Sequence, residues 1–236
     1  MTSDTLHSDN QPPSLVVGHP SSVKRLWRSF IRTFFHLLYY ELAWTYDLVA
    51  WIVSFGQWKA WGRAAIPHLH GKRILELAHG PGHLLVSMMR SGLSPVGLDL
   101  SQQMGRLARK RWRDSCSGSI PMPPLVRARA QAMPFRSSAF DSVVSTFPAE
   151  FIVQAETLKE IARALKDDGC AVVVPGVAFK SSLPARFLEW LYTVTGQQEP
   201  APSNLADALA EADLMMTIER EPMGMVDVLV AVATKK

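Results

Sequence analysis

Residues 73–104 read RILELAHGPGHLLVSMMRSGLSPVGLDLSQQM and carry the strongest fold signal in the chain. A short apolar run ends in a glycine-containing loop, an apolar-periodic segment follows, and a second apolar run ends in Asp99. Pro81 suits the first turn of the helix, because its ring presets φ and its missing N–H would be unpaired there. Strand, glycine turn, helix, strand and acid are typical of half a doubly wound nucleotide-binding sheet. The stretch therefore predicts a site for an adenosine-containing cofactor, with Asp99 accepting both ribose hydroxyls.

The loop also bears on the identity of the cofactor. A dinucleotide site favours G-x-G-x-x-G, with the pyrophosphate at the helix N-terminus. Here the segment 80–85 reads GPGHLL, so the third glycine is absent. Glu76, just before the loop, would repel a pyrophosphate but suits a cationic group such as the amino group of a methionine moiety. An NAD-dependent oxidoreductase is therefore disfavoured.

The same segment resembles motif I of the class I S-adenosylmethionine-dependent methyltransferases, whose usual form is E/D-x-G-x-G-x-G. Glu76 matches the acid, Gly80 and Gly82 match the second and third glycines, and Ala78 replaces the first. The resemblance implies S-adenosylmethionine as the cofactor. The methyl group of Ala78 leaves open how closely the cofactor approaches the backbone at that point.

Further segments follow in the order expected of this family. They are 96–101 VGLDLS, similar to motif II; 133–145 MPFRSSAFDSVVS, similar to the L-P-F…F-D-x-V-x-S run of the ubiquinone/menaquinone (type 11) members; 158–169 LKEIARALKDDG, similar to the helix and turn before strand five; and two β-rich runs, 214–218 and 226–233, split by 221–224 EPMG. The resemblance covers 73–236 and implies an α/β fold, a Rossmann-like seven-stranded sheet with an antiparallel C-terminal hairpin.

The resemblance also implies which residues bind the cofactor. The expected set is Tyr46, Glu76, Ala78, His79, Gly80, Gly82, Asp99, Leu100, Met104, Ala130, Gln131, Ala132, Thr146 and Phe147. Within it, Ala130 and Gln131 would border the adenine, and Thr146 and Phe147 would lie beside the methyl group. Ser101 is expected to cap the next helix. Arg129 departs from the family, which usually has an acid there for the adenine amino group; Gln131, backbone groups or a weaker site are the alternatives.

Composition limits the class of protein. With 236 residues, of which 47% are hydrophobic and 19% charged, the chain is expected to be globular with a sizeable core. Cys116 and Cys170 have no metal or redox spacing, and the polar first residues are unlike a signal peptide, so a cytoplasmic protein is expected. The basic cluster at 106–113 is interpreted as a solvated helix face with too few aromatics for nucleic-acid binding.

Three regions are expected along the chain: a disordered tail at 1–20, a helical cap at 21–70 and the methyltransferase domain at 71–236. The cap is dense in aromatic side chains, but Glu41, Asp47 and His36 interrupt it, so it is not expected to cross a membrane. A helix packed on the core is the favoured interpretation. A lid over the methyl donor that uses Tyr46 and Asp47, and peripheral membrane contact through 24–40, remain as alternatives.

Candidate bases and metal ligands are few. His79 and His83 flank the glycine turn, but a helix that begins at Pro81 does not place both on one face, so no metal site is expected. His68 and His70 are interpreted as surface polar residues. Glu150 is interpreted as complementing the dipole of a helix at 151–165 in preference to serving as a base, and no catalytic residue is assigned.

These observations favour S-adenosylmethionine-dependent methyl transfer. Expected helices at 183–195 and 204–212 lie between strand five and the hairpin, and the first carries several aromatic residues. The acceptor is therefore expected to be small and apolar or aromatic, quinone-like or lipid-like. A catalytically inactive S-adenosylmethionine-binding or regulatory module is the alternative, motivated by Ala78 and Arg129. The sequence does not predict the methylated atom or the oligomeric state.

Overall fold

A computed structural model describes residues 56–116, 121–180, 205–224 and 226–235. The strands in these residues are β1 Arg73–Leu77, β2 Ser94–Asp99, β3 Leu125–Arg127, β4 Phe140–Thr146, β5 Leu165–Phe179, β6 Leu214–Met223 and β7 Val226–Lys235. The helices are α1 Trp58–Arg63, α2 His83–Arg90, α3 Gln102–Cys116, α4 Ala155–Ala164 and α5 Leu205–Glu211, with 3-10 turns at Ile66–His68 and Glu150–Val153.

These strands form one seven-stranded sheet in the order β3-β2-β1-β4-β5-β7-β6. Strands β1 to β5 are mutually parallel, and β7 runs antiparallel between β5 and β6. The expected α/β sheet with an antiparallel C-terminal hairpin is confirmed. The strand order reverses between β1 and β4, and ligands of such sheets bind beyond the carboxyl ends of the strands at this point.

Strand β1 shows how the sequence pattern builds the core. Successive side chains of a strand point to opposite faces of the sheet. Leu75 and Leu77 pack into one buried apolar cluster, whereas Ile74 packs into a second cluster with residues of α2. The two-residue period puts Glu76 on the same face as Ile74, so its carboxyl group is directed toward α2.

Two expected helix boundaries are wrong. Helix α2 begins at His83 after an N-cap at Gly82, so Pro81 precedes the cap and does not lie in the first turn. The expected helix at 151–165 is divided into a 3-10 turn at Glu150–Val153 and α4, because Gln154 is extended, with φ −72° and ψ 139°. In each case the backbone conformation of one residue sets the boundary: Gly82 is left-handed before α2, and Gln154 is extended before α4.

Asp141 fastens the amino ends of three strands. Its Oδ2 accepts hydrogen bonds from the backbone N–H groups of Lys72 at 2.9 Å and Arg73 at 2.8 Å, and its Oδ1 accepts one from Lys166 Nζ at 2.5 Å. These donors, first the Lys166 ammonium, lower the pKa of the Asp141 carboxyl from 3.8 to about 2. A side chain at Gly71 would lie 2.4 Å from Asp141, so the chain can enter β1 this closely only with glycine there.

Several expectations lie outside the described residues: the tail at 1–20, most of the cap including Tyr46, the membrane-contacting segment 24–40 and the helix at 183–195. The helix expected at 204–212 is observed at Leu205–Glu211. None of the described helices is both long and apolar enough to span a bilayer. The interpretation of His68 as a surface residue is wrong, because its side chain is only 13% exposed and contacts two glutamates. His70, in contrast, is exposed as expected.

Candidate cofactor-binding site

Glu76 is a buried carboxyl group that lacks part of its hydrogen bonding. Its side chain is 2% exposed, and the backbone N–H of Leu85 in the first turn of α2 donates to it. Its Oε2 has no partner within the part of the chain that the structure describes. Burial, and secondly the nearby Asp99 carboxylate, raise the pKa of Glu76 well above its usual range. A cationic ligand with N–H donors would satisfy the free oxygen and offset the repulsion between the two acids.

Asp99 ends β2 and connects it to the glycine loop. Its Oδ2 accepts a hydrogen bond from the Gly80 N–H at 2.9 Å, and its Oδ1 accepts one from the Ser101 N–H at 2.8 Å. The Ser101 hydroxyl in turn accepts from the Met104 N–H at 3.3 Å, which confirms Ser101 as the cap of α3. Each carboxylate oxygen retains a lone pair, so the group can still accept from a ligand hydroxyl.

Every second residue of the glycine loop from Ala78 to Gly82 has a left-handed backbone conformation. Ala78, Gly80 and Gly82 have φ values of +51°, +52° and +78°. Glycine adopts this region without strain, whereas alanine does not, so the replacement of the first motif glycine places strain at Ala78. The Ala78 side chain is exposed. At Gly82 a Cβ would lie 2.8 Å from Cβ of Ala108, so glycine is required for α2 and α3 to pack this closely.

His79 is buried beneath the loop. Its Nδ1 lies 2.7 Å from the Gly80 carbonyl oxygen, and a Cβ on Gly97 would lie 2.8 Å from its ring. Burial lowers the pKa of the imidazole, and the Asp99 carboxylate opposes this effect. A neutral ring that donates Nδ1–H to Gly80 explains this geometry. His79 thus supports the loop against β2, and its expected contact with the methionine moiety stays a prediction.

Arg111 of α3 donates from Nη1 to the carbonyl oxygen of Pro81. The residues of the basic cluster 106–113 were expected to form a solvated face, and Arg106, Arg109, Lys110 and Arg113 are indeed exposed. Arg111 differs because it is half-buried and fixes the end of the glycine loop. Nothing in the sequence signalled this contact, because Arg111 lies within a run of basic residues that was expected to be exposed.

Aromatic rings cover the carboxyl end of β4. Phe147, which follows the last residue of β4, stacks on Trp58 of α1 with ring centroids 3.8 Å apart and planes inclined by 28°. Phe147 has φ +50°, a strained value for a bulky residue, and its N–H donates to the Val174 carbonyl at 2.7 Å. Strained residues of this kind concentrate at functional sites. Phe147 was expected at the site, but the sequence did not identify Trp58 as its partner.

The remaining expected residues surround the same edge of the sheet. Ala130 and Met104 are buried, Gln131 and Thr146 are half-buried, and Leu100 and Ala132 are exposed. Gln131 Nε2 donates to Gln154 Oε1 at 2.7 Å, which leaves its second N–H and its Oε1 for other contacts. Arg129 is exposed. The family usually has an acid at the position of Arg129, and within the described residues no contact of Arg129 or Gln131 substitutes for it. The adenine contacts stay a prediction.

Arg163 and Glu160 of α4 hold the segment next to Ala130–Ala132 in place. Arg163 donates to the carbonyl oxygens of Phe135 at 2.7 Å and Met133 at 3.1 Å, while Glu160 Oε2 accepts from the Met133 N–H at 2.6 Å. The hydrogen bonds from Arg163 lower the pKa of Glu160. These hydrogen bonds make the M-P-F segment a structural support for the site.

Comparison with known proteins agrees with this geometry. The family model described as a methyltransferase domain matches residues 75–173. The ubiquinone/menaquinone biosynthesis C-methyltransferase UbiE of Geotalea uraniireducens is 33% identical over 136 residues, which are 55% of this chain and 57% of that protein. The demethylmenaquinone methyltransferase of Chlorobaculum tepidum is 33% identical over 156 residues, 62% and 60% of the two chains. The chain thus spans less than two thirds of the length of these relatives.

The fold of this chain is also similar to that of solved methyltransferase structures. Geranyl diphosphate C-methyltransferase from Streptomyces coelicolor A3(2), solved with Mg²⁺, geranyl diphosphate and S-adenosyl-L-homocysteine, superposes with a TM-score of 0.56 at 14% identity. The superposition covers 75% of this chain and 79% of that one. At this identity the likeness concerns the fold alone. Residues 75–173 thus match a methyltransferase domain, and the chain is similar in sequence and fold to class I S-adenosylmethionine-dependent methyltransferases.

Proposed function

We propose that this chain transfers a methyl group from S-adenosylmethionine to a small, planar, largely apolar acceptor. The observation that carries the cofactor assignment is the buried, unpartnered Oε2 of Glu76 beside Asp99, at the carboxyl ends of β1 and β2. A buried acid beside a second acid favours a cation with hydrogen-bond donors, and the α-ammonium of S-adenosylmethionine is such a group. The fit favours this cofactor over NAD, whose pyrophosphate Glu76 would repel.

The residues of the site divide the work of binding. Glu76 would hold the ammonium, Asp99 would accept the ribose hydroxyls, and the Gly80–Gly82 backbone would allow close approach. Bound S-adenosylmethionine supplies an activated methyl group on a sulfonium centre, so the protein contributes mainly orientation and exclusion of water. The Trp58–Phe147 stack follows the carboxyl end of β4, where we expect the acceptor to meet that methyl group. Aromatic faces attract a sulfonium cation and also pack against a planar acceptor.

The acceptor class rests on these rings and on the relatives. The matched proteins are named for C-methylation in ubiquinone and menaquinone biosynthesis and for demethylmenaquinone methylation. A quinol-like ring would stack on Trp58 or Phe147, which a saturated or highly polar acceptor would not. We therefore propose carbon methylation of a quinol-like acceptor as the finer activity.

Calorimetric titration with S-adenosylmethionine, S-adenosylhomocysteine and NAD tests the cofactor. We expect micromolar binding of the first two and none of NAD. Asp99→Ala should weaken binding by about 1–3 kcal/mol, the cost of leaving hydroxyl groups without a charged acceptor. Asp114→Ala, at an exposed position of α3, is the matched control and should bind normally. If the folded wild-type protein binds neither compound, the result would contradict the proposed activity and favour the catalytically inactive module.

Transfer of radiolabelled methyl to 1,4-naphthohydroquinone, with cyclohexanol as the saturated control, tests the acceptor. Trp58→Ala should raise KM for the aromatic acceptor about two- to tenfold, the loss of one ring contact. Trp58→Phe should largely restore it, and cofactor affinity should change little in either variant. Equal transfer to the hydroquinone and to cyclohexanol, or an unchanged KM in Trp58→Ala, would contradict the acceptor class but leave the cofactor assignment intact.

A further inference from the structure

Three side chains with metal-binding atoms meet outside the cofactor site. His68 ends the 3-10 turn before β1, while Glu219 and Glu221 lie two residues apart on β6 and therefore share one face of that strand. One ligand atom from each residue lies within 4.8 Å of the other two. All three fall outside the segment 75–173 that the family model matches. The cluster is thus separate from the shared methyltransferase machinery.

The His68 imidazole does not donate a hydrogen bond to both carboxylates of the cluster. His68 Nε2 lies 3.0 Å from Glu221 Oε1, and Nδ1 lies 3.6 Å from Glu219 Oε2. A neutral imidazole has one N–H and can donate to one of these carboxylates only, and 3.6 Å is too long for a hydrogen bond. Across the described ranges no lysine or arginine forms an ion pair with either glutamate. A cation between the three groups would resolve this imbalance.

The backbone on both sides of the cluster is fixed. The His68 carbonyl accepts a hydrogen bond from Cys170 Sγ at 3.5 Å, and Ser142 Oγ bonds to both the N–H and the carbonyl of nearby His70. On the other side, Glu219 and Glu221 are held opposite Val230 and Val228 in the β6–β7 ladder. The His68 side chain is 13% exposed, whereas the glutamate side chains are 53% and 41% exposed. The imidazole is therefore preoriented, and the carboxylates are free to adjust to an ion.

We propose that His68, Glu219 and Glu221 bind one divalent transition-metal ion, with Zn²⁺ as the best fit. One imidazole nitrogen and two carboxylate oxygens would be completed by water to four ligands. Ligand distances of about 2.0–2.2 Å place neighbouring atoms of a tetrahedral site about 3.3–3.6 Å apart. The observed separations are 3.0 Å between Nε2 and Oε1 and at most 4.8 Å among one ligand atom from each of the three residues. The imidazole favours Zn²⁺, Co²⁺ or Ni²⁺ over Mg²⁺ or Ca²⁺, which prefer all-oxygen sites.

Such an ion would act as a structural clasp. It would join the segment before the first strand to the C-terminal hairpin, across a sequence separation of 153 residues between His68 and Glu221. Binding to the folded state alone raises stability in proportion to the logarithm of metal concentration over Kd. The site requires no role in methyl transfer, so the inference does not depend on the proposed function.

The test uses the full chain, stripped of metals with a chelator and titrated with Zn²⁺ or Co²⁺ alone. We expect one ion per chain, visible absorption from bound Co²⁺, and a Tm increase of about 5–10 °C at a hundredfold excess of Zn²⁺ over Kd. Mg²⁺ should give none of these effects.

Variants decide whether the ion occupies this cluster. His68→Gln and the double variant Glu219→Gln/Glu221→Gln should lower Zn²⁺ affinity at least tenfold and reduce the Tm increase by about half or more at the same Zn²⁺ concentration. Glu156→Gln, at an exposed glutamate on α4, should behave as wild type. The proposal is overturned if the wild-type protein shows no Zn²⁺ binding, or if it binds Zn²⁺ no more tightly than the cluster variants.

Discussion

The two ends of the parallel sheet hold carboxyl groups in opposite states. At the amino end, Asp141 accepts hydrogen bonds from two backbone N–H groups and a lysine, which hold its pKa at about 2. At the carboxyl end, Glu76 is buried beside Asp99 with one oxygen unpartnered, and its pKa is raised. The first carboxyl stabilises the fold as it stands. The second carries an unfavourable arrangement that a bound cation would relieve, so we assign stability to one end and binding to the other.

The strongest way to break this comparison is Glu76→Gln. We expect S-adenosylmethionine binding to weaken by about 2–5 kcal/mol, because a buried charge partner of the ligand is lost. We expect the free protein, in contrast, to become more stable at neutral pH, since the variant lacks the carboxyl whose pKa burial raises and whose ionisation therefore opposes folding. Calorimetry and urea unfolding measure the two effects. Loss of both binding and stability would show that Glu76 is a structural residue like Asp141.

The pH dependence of the wild-type protein sharpens the same point. A carboxyl whose pKa is higher in the folded than in the unfolded state takes up its proton on folding. Its contribution to stability is therefore fully present below the unfolded pKa and is lost as pH rises through the folded pKa. Cofactor affinity should change the other way and rise with pH, measured below about pH 7, where the ligand's amino group stays protonated. Glu76→Gln should remove both trends, and Glu156→Gln should remove neither.

Asp141→Asn tests the other end of the sheet. The amide cannot accept all three hydrogen bonds, so we expect the free energy of unfolding to fall by about 1–3 kcal/mol, with cofactor affinity unchanged. Because the folded pKa of about 2 lies below the usual 3.8, the stabilisation is fully present above the unfolded value and is lost as pH falls toward the folded value. The gap between variant and wild type should therefore narrow in acid. A large change in cofactor Kd would contradict the division between the two ends.

The smallest expected effect is that of Ala78→Gly. Glycine removes the left-handed strain of a residue at φ +51°, against its larger entropy loss, for a net gain in stability of about 0.5–1 kcal/mol. Thermal unfolding measures it. Ala149→Gly, at φ −75°, is the control and should not gain stability. A variant at Ala78 that is no more stable would mean that the loop relaxes around the alanine.

The sequence was sufficient for features that are local in the chain. The run from β1 through the glycine loop to Asp99 was predicted because apolar periodicity and glycine spacing report on neighbouring residues, and Ser101 caps its helix for the same reason. The antiparallel hairpin was also confirmed, since its two β-rich runs flank a short turn. In these places the partners are close in the chain, at most 21 positions apart in the β1–β2 and β6–β7 ladders.

Contacts between distant segments were not predictable in this way. Trp58 was interpreted as part of a packed helix, and nothing in its pattern identified Phe147 as its stacking partner. Arg111 was taken as one of several solvated cations, although it bonds to Pro81, 30 residues away. His68 was taken as a surface residue because its glutamate partners are on β6. In each case the missing information was the relative placement of two elements, which only the assembled sheet provides.

The position of β7 has a consequence for how the chain folds. β6 precedes β7 in the chain, yet it joins the sheet only through β7, which occupies the place between β5 and β6. β6 therefore has no strand partner until β7 has been synthesised, and the two strands are best placed to form a hairpin locally before docking. Docking then requires β7 to pair with β5, which lies farther away in the chain. Such a step is slow because the entropy cost of closing the loop comes before the favourable contacts between the strands form. On the ribosome, the sheet would remain open at β5 until nearly all of the described chain had emerged.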